Sequence, residues 1–208
     1  MILIGQYDSP FVRRVGIALT LYRLPFEHRP WSTFGDAEKI RPYNPLTRVP
    51  VLVLDDGVAL VESHSILDHL DSLVPAKRAM FPRSEPARHR ALRIAALATG
   101  LADKAVSLFY EKRLHGEVSD MWVERCRSQI SGTLAMLDAD RATWTGKHWF
   151  DGRLGHADIA VACALRFLNE AHPGMVSMSA FPALAAHAAR MEKLPAFKAV
   201  AQEFIPPS

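Results

Sequence analysis

The chain has 208 residues and a formal net charge of +3, with 25 Lys and Arg against 22 Asp and Glu, and 49% of its residues are apolar. That composition allows one large or two small domains with a sizeable core and excludes a disordered or fibrous chain. The basic residues are scattered and never interleave with aromatics, so no nucleic-acid partner is expected, and no apolar stretch reaches the length of a membrane span. Cys126 and Cys163 stand far apart. They form neither a C-x-x-C pair nor a disulfide framework and read as small buried thiols in helices. No metal is expected. Arg13 and Arg14 follow the first apolar run instead of preceding it, so no secretory leader is read and the expected location is cytoplasmic.

Met1 to Ile4 is a short apolar run that reaches Gly5 and the polar Gln6-Tyr7-Asp8-Ser9. Pro10 then opens a helical pattern with Val12, Val15, Ile17, Ala18 and Leu21 as apolar positions. Strand, tight loop and helix follow, with Ser9 as N-cap and Pro10 in the first helical position. Pro25 ends this helix, and Phe26 to Arg29 forms a second strand. Pro30 to Asn44 is irregular, with one helical turn near Asp36 to Ile40. Val51 to Leu54 is a strand. Asp55-Asp56-Gly57 is a hairpin turn, and Val58 to Val61 returns antiparallel. Glu62-Ser63-His64-Ser65 opens a helix from Ile66 to Leu73, with Ser65 and Asp68 at capping-box spacing. The order β-α-β then β-β-α predicts a mixed four-stranded sheet with helices packed on it.

Val74 to Pro86 is proline-rich and aperiodic, with a linker placed at 77–86 between an α/β domain at 1–76 and an all-α bundle at 87–208. Helices are expected over Ala87 to His115, Val118 to Asp138, Ala157 to Asn169 and Phe181 to Lys193, with a short one after Pro195 and a tail at Ile205-Pro206-Pro207-Ser208.

Three N-terminal places carry chemistry. Ser9 sits at a helix N-terminus, where free N–H groups and the macrodipole favour negative charge; a plain cap explains it equally well. Val49-Pro50 precedes a strand, a common place for proline. Glu62-Ser63 opens a helix, an anion site by construction.

Taken together, the segments Ser9-Pro10-Phe11-Val12-Arg13-Arg14-Val15, Asn44-Pro45-Leu46-Thr47-Arg48-Val49-Pro50-Val51-Leu52, Leu60-Val61-Glu62-Ser63-His64-Ser65-Ile66-Leu67 and Gly155-His156-Ala157-Asp158-Ile159-Ala160 resemble the glutathione transferase superfamily across nearly the whole chain. The resemblance implies a thioredoxin-like N-terminal domain, an all-α C-terminal domain, glutathione as co-substrate without a metal, and a homodimer. It implies a cis Val49–Pro50 bond, with the Val49 backbone pairing with the cysteinyl main chain of glutathione. Glu62 would meet the γ-glutamyl ammonium and Ser63 its carboxylate. Ser9 would donate a hydrogen bond to the sulfur and not act as a nucleophile, since no triad base accompanies it. Arg48 and Thr47 either reach the glycyl end or are solvated loop residues. Arg13 and Arg14 are expected on the helix surface. Phe11, Trp31, Phe109 and Tyr110 are candidate walls for a hydrophobic electrophile, each with a plain core reading beside it. The family's hydroxyl cap is replaced by Gly155, which bears on folding of the second domain. The activity implied is conjugation of an electrophile or reduction of a peroxide, as in detoxification. An isomerase, dehalogenase, disulfide reductase or non-catalytic binding protein on the same fold stands as the alternative.

Overall fold

The computed structural model describes residues 1–206; Pro207 and Ser208, the end of the tail read from the sequence, lie outside the described residues. The chain forms two compact units, Met1–Arg88 joined by the segment from Leu194 on, and His89–Lys193.

In the first unit the sheet is mixed and ordered β2-β1-β3-β4. Strand β1 (Ile2–Ile4) runs parallel to β2 (Glu27–Arg29) and antiparallel to β3 (Val51–Val53), which pairs antiparallel with β4 (Ala59–Val61). Only β1 and β3 are nearly continuous in burial, as central strands covered on both faces should be. Helix α1 (Pro10–Tyr22) ends at Arg23, whose left-handed conformation (φ 58°) turns its N–H back onto Leu19 and Thr20. Helix α2 is a single turn, Ala37–Ile40, and α3 spans Ser63–Ser72. The start of α3 corrects the sequence expectation. Ser65 is not its cap: the Glu62 carbonyl already accepts from Ile66 N–H at 3.0 Å, so the helix begins at Ser63.

The 77–86 stretch, expected as a linker, is anchored in the first unit. The Tyr22 hydroxyl is hydrogen-bonded to the Asp71 carboxylate. The same pair receives the N–H of Met80 (2.7 Å, to Tyr22 Oη) and of Phe81 (2.8 Å, to Asp71 Oδ2). Ala79, Met80 and Phe81 are buried as a result. A buried carboxylate is tolerated here because backbone donors and a phenol satisfy it.

The second unit is helical: α4 (Ala87–Leu114), α5 (Asp120–Ala142, capped by Ser119 Oγ), α6 (His156–Ala171) and α7 (Pro182–Met191). Helix α6 is buried without a break from His156 to Leu165, the mark of a central helix apolar on all sides. Gly155 offers no side chain to cap it. Asp158 compensates by accepting from Gly155 N–H and from Trp149 N–H, both at 2.9 Å, which ties a 3₁₀ turn (Trp149–Asp151) to the helix start. Both cysteines are buried and unbridged.

Helix α8 (Pro195–Ala199) belongs with the first unit, although the sequence reading placed everything after 87 in the helical domain. The cause is Arg13. Expected on a helix surface, it is 2% exposed; its Nε donates to the Val200 carbonyl at 2.8 Å and its Nη2 to that of Phe197 at 3.0 Å. Its guanidinium also lies 5.6 Å over the Phe197 ring. A buried cation is retained only with such partners, so the chain after Leu194 is drawn onto α1. Among the described residues no helix is long and apolar enough to cross a membrane, and no group of His, Cys, Asp and Glu has the makings of a metal site.

Burial pushes the His187 imidazole from 6.5 down to about 4, while its Nε2 lies 3.1 Å from the Asp158 carbonyl. The unfolded chain takes this proton more readily than the fold. Stability from neutral His187 is therefore complete above about pH 6.5 and drains away as pH falls towards 4, by about 3 kcal/mol in total. The buried Asp158 carboxyl, pushed up mainly by desolvation, acts in the opposite sense, because the fold takes its proton first. Denaturant unfolding of wild type and His187→Gln at several pH values should show a shallower acid slope in the variant. Parallel slopes would contradict this assignment.

Candidate functional site

The site is built around the end of β1. Gly5 adopts φ 126°, and a Cβ placed there would lie 2.5 Å from Val12 Cγ2 and 2.8 Å from Val49 Cβ. Only glycine combines that conformation with that approach. Its absent side chain lets the first turn of α1 and the loop before β3 close on the same point of the chain, which brings the Ser9 and Val49 segments together. Gly5 is pinned further by its N–H on the Arg29 carbonyl (2.9 Å) and by His28 Nε2, 2.8 Å from its own carbonyl.

Ser9 is half-buried and extended (φ −66°, ψ 123°), and its Oγ accepts from Val12 N–H at 3.4 Å. The hydroxyl thus spends an acceptor lone pair on capping, over a long distance for such a bond. Among the described residues its O–H proton has no acceptor, and it stands at the positive end of a thirteen-residue helix. A second hydroxyl-bearing residue, Tyr7, lies nearby in sequence. Tyr7 stacks face to face on His28 with ring centroids 3.8 Å apart and packs across Gly16, two turns along α1 from Ser9. Burial pushes its phenol up to about 12.

The Val49–Pro50 peptide is cis. Among the described residues the N–H and C=O of Val49 carry no hydrogen bond. The loop leading to it is held by Asn44, 4% exposed, whose Nδ2 donates to the Arg48 carbonyl at 2.9 Å and whose Oδ1 accepts from Leu46 N–H at 3.1 Å. Sequence reading assigned Asn44 no role; its side-chain bonds two and four residues ahead are of the kind Asn commonly makes in turns.

Glu62 is the N-cap of α3, in the left-handed region at φ 65°. Its exposed carboxylate lies 3.8 Å from Arg48 Nη1, with both side chains more than half exposed, so solvent screens the pair and it contributes little to stability. The loop cation and the acid expected to meet a ligand ammonium are therefore neighbours. Ser63, by contrast, is 2% exposed, and Arg14 Nη1 lies 3.5 Å from its Oγ. Arg14, also expected on the helix surface, is 1% exposed. It places a fixed positive charge behind the N-terminus of α3, where first-turn N–H groups already favour an anion.

The remaining candidates divide between the units. Phe11 is half-buried in α1. Trp31 packs on the Ile4–Ile40–Val51–Val53 cluster alongside Tyr43 and Val49, with Arg29 and Lys39 within 6 Å of its ring. Phe109 and Tyr110 lie in α4 of the second unit, and Phe109 meets His172 edge-on at 6.2 Å. Trp31 and Phe109 thus both carry packing roles within their own units.

Residues 3–78 match the family model described as glutathione S-transferase, N-terminal domain, and residues 120–190 match that of the C-terminal domain. The Escherichia coli K12 protein named uncharacterized GST-like protein YibF is 32% identical over 170 residues, covering 81% of this chain and 82% of its own. A probable maleylacetoacetate isomerase of Vibrio cholerae is 26% identical over 98% of this chain and 96% of its own. The crystal structure of a glutathione S-transferase from Methylobacillus flagellatus with glutathione bound superposes with a TM-score of 0.88 at 28% identity, covering 96% of this chain and 98% of the other.

Replacing Gly5 by Ala forces both a strained backbone and a clash at 2.5 Å. The expected loss of folding stability is about 2–4 kcal/mol, read as a lower urea midpoint. A loss below about 0.5 kcal/mol, the range of ordinary surface changes, would show that Gly5 is not the point on which the two segments close.

Proposed function

Because the chain belongs to the glutathione S-transferase superfamily, we propose that it binds glutathione on the first unit and activates its thiol as a thiolate for attack on an electrophilic small molecule or a peroxide. The Ser9 hydroxyl carries this reading: its acceptor side is committed to the α1 cap while its proton has no described acceptor. The Val49 N–H and C=O take the cysteinyl main chain as a short strand would. The γ-glutamyl carboxylate docks at Ser63 and the α3 N-terminus, backed by Arg14, and its ammonium meets Glu62. Arg48, balanced against Glu62, faces the loop side of the tripeptide.

Ser9 O–H then donates to the sulfur. A free thiol has a pKa of about 8.5, and a hydrogen bond to the charged form together with the helix dipole lowers it towards neutrality. The thiolate forms the new bond to carbon and the leaving group departs with the electron pair. With a peroxide, the sulfur attacks the terminal oxygen, the O–O bond breaks, the sulfur is oxidised to a sulfenic acid, and the alkoxide leaves and takes up a proton. Phe11, two residues along α1, is the first apolar surface an electrophile would meet. The proposal includes a homodimer. Leu46, 65% exposed in the first unit, and Met136, 47% exposed in the second, are apolar side chains that a second copy would cover.

Isomerisation is the second reading, favoured by the Vibrio cholerae relative that spans nearly the whole chain. There the same thiolate would add to the substrate and leave again, so glutathione is not consumed. Measuring glutathione loss alongside substrate turnover separates the two.

For Ser9→Ala, glutathione should still bind within about threefold, while the thiol of the bound tripeptide returns towards about 8.5 and kcat falls roughly 10–100-fold. Ultraviolet thiolate absorbance followed against pH reads the first effect. Loss of the cap costs about 1 kcal/mol, so melting is measured in parallel. An unchanged thiolate titration would reduce Ser9 to a cap. Glu62→Gln should weaken glutathione binding by about 3–10-fold at low salt and less at high salt, because the partly exposed charge is screened. Calorimetry at two ionic strengths checks this.

A further inference from the structure

The residues after α8 have no part in the function proposed so far, yet they close over the loop that carries Ser9. Tyr7 N–H donates to Gln202 Oε1 at 3.1 Å, and Ile205 N–H donates to Asp8 Oδ2 at 3.1 Å. The two residues immediately before Ser9 are thus each bonded to the end of the chain. The tail is itself anchored: Arg13 grips the carbonyls of Phe197 and Val200, and Val200 packs across Gly16, where an added Cβ would lie 2.8 Å from Val200 Cγ1. Burial raises the Asp8 carboxyl, and the N–H groups of Ile205 and Ser9 draw it back. Asp8 therefore ties the tail to the residue next to Ser9, whose own N–H is held on the Gln6 carbonyl at 3.2 Å.

We propose that the C-terminal tail is a working part of the thiol-activating site, with Gln202 and Asp8 as positioning residues that hold the Tyr7–Ser9 backbone where the Ser9 hydroxyl reaches the sulfur. This rests on the functional reading above. The effect is expected on reactivity more than on affinity. Glutathione is held chiefly through Val49, Glu62 and Ser63, whereas thiolate stabilisation depends on the placement of one donor. A displacement on the order of 1 Å at a reacting group is worth about 100-fold in rate.

The test uses full-length wild type, Gln202→Leu, Asp8→Ala and Asp8→Asn. Each is titrated for thiolate absorbance of bound glutathione, with kcat and KM for glutathione measured on the same preparations. Gln202→Leu keeps a branched stem one atom shorter and removes the acceptor. It should raise the bound thiol's pKa by about half a unit or more and lower kcat about 3–10-fold, with KM within about twofold. Amide exchange at Tyr7 should also speed up. The Asp8 pair separates bonding from charge. Asp8→Asn keeps an acceptor for Ile205 N–H and should titrate at or below wild type, since a negative charge near the thiolate is gone. Asp8→Ala loses the bond and should titrate above it. If Gln202→Leu titrates as wild type, or both Asp8 variants shift downward alike, the tail does not position Ser9. A wild type that forms no thiolate at all overturns the functional reading and this inference with it, a result distinct from variants that titrate together with an active wild type.

Discussion

The close approach at Gly5 is the constraint from which the rest of the first unit follows. Two valines, one from the first turn of α1 and one from the loop before β3, occupy the space where any other residue would carry its Cβ. Neither segment reaches the other by sequence proximity: Val12 and Val49 are brought together only because the chain passes between them without a side chain. Ser9 caps the helix that Val12 belongs to, and the Val49 main chain ends the loop that Asn44 braces. The spacing between a hydroxyl donor and an open backbone pair is therefore set by backbone packing on both sides. Surface side chains, which are free to rotate, do not set it.

Charge is arranged in two layers with different consequences. Glu62 and Arg48 lie outside and remain largely in water, where a pair at 3.8 Å contributes at most about 1 kcal/mol. Such groups are available to a ligand and have little effect on the fold. Arg14 and Ser63 lie inside and are nearly inaccessible. A cation buried there is a fixed part of the field at the α3 N-terminus, adding to the helix dipole instead of being screened from it. The inner layer therefore adds a fixed positive field at the α3 N-terminus, while the outer layer presents charges of both signs to solvent.

Local physics made much of this legible in the sequence. Strand-loop-helix at the N-terminus, the Asp55-Asp56-Gly57 hairpin and the four long helices follow from periodicity, turn residues and prolines, and their observed bounds differ from expectation by a few residues. The motifs around Ser9, Val49 and Glu62 were visible because their chemistry is carried by adjacent residues. What was not legible depends on distant partners. Arg13 and Arg14 occupy positions where a helix usually shows charge to solvent, and nothing nearby indicates that carbonyls 184 and 187 residues later wait for one and a serine 49 later for the other. The 77–86 stretch looked like a linker because prolines break its periodicity; the Tyr22–Asp71 pair that anchors it lies outside the segment. Helix α3 was begun too late because its cap is a glutamate in a left-handed conformation, which no capping preference anticipates.

The two roles of Ser9 are complementary at the level of a single oxygen. A hydroxyl has one proton and two lone pairs, so accepting from Val12 N–H leaves the donor function intact and also fixes where the oxygen sits. A threonine offers the same set with a stiffer side chain. A tyrosine at this position would carry its oxygen away from the helix end and lose the dipole. Tyr7 illustrates the alternative within the same loop: its ring is committed to His28 and to the surface over Gly16, and burial raises its pKa to about 12, making the phenol a weaker acid. Of the two hydroxyl-bearing residues in the loop, Ser9 is the one that caps the helix. Helix capping and hydrogen-bond donation therefore meet on one oxygen.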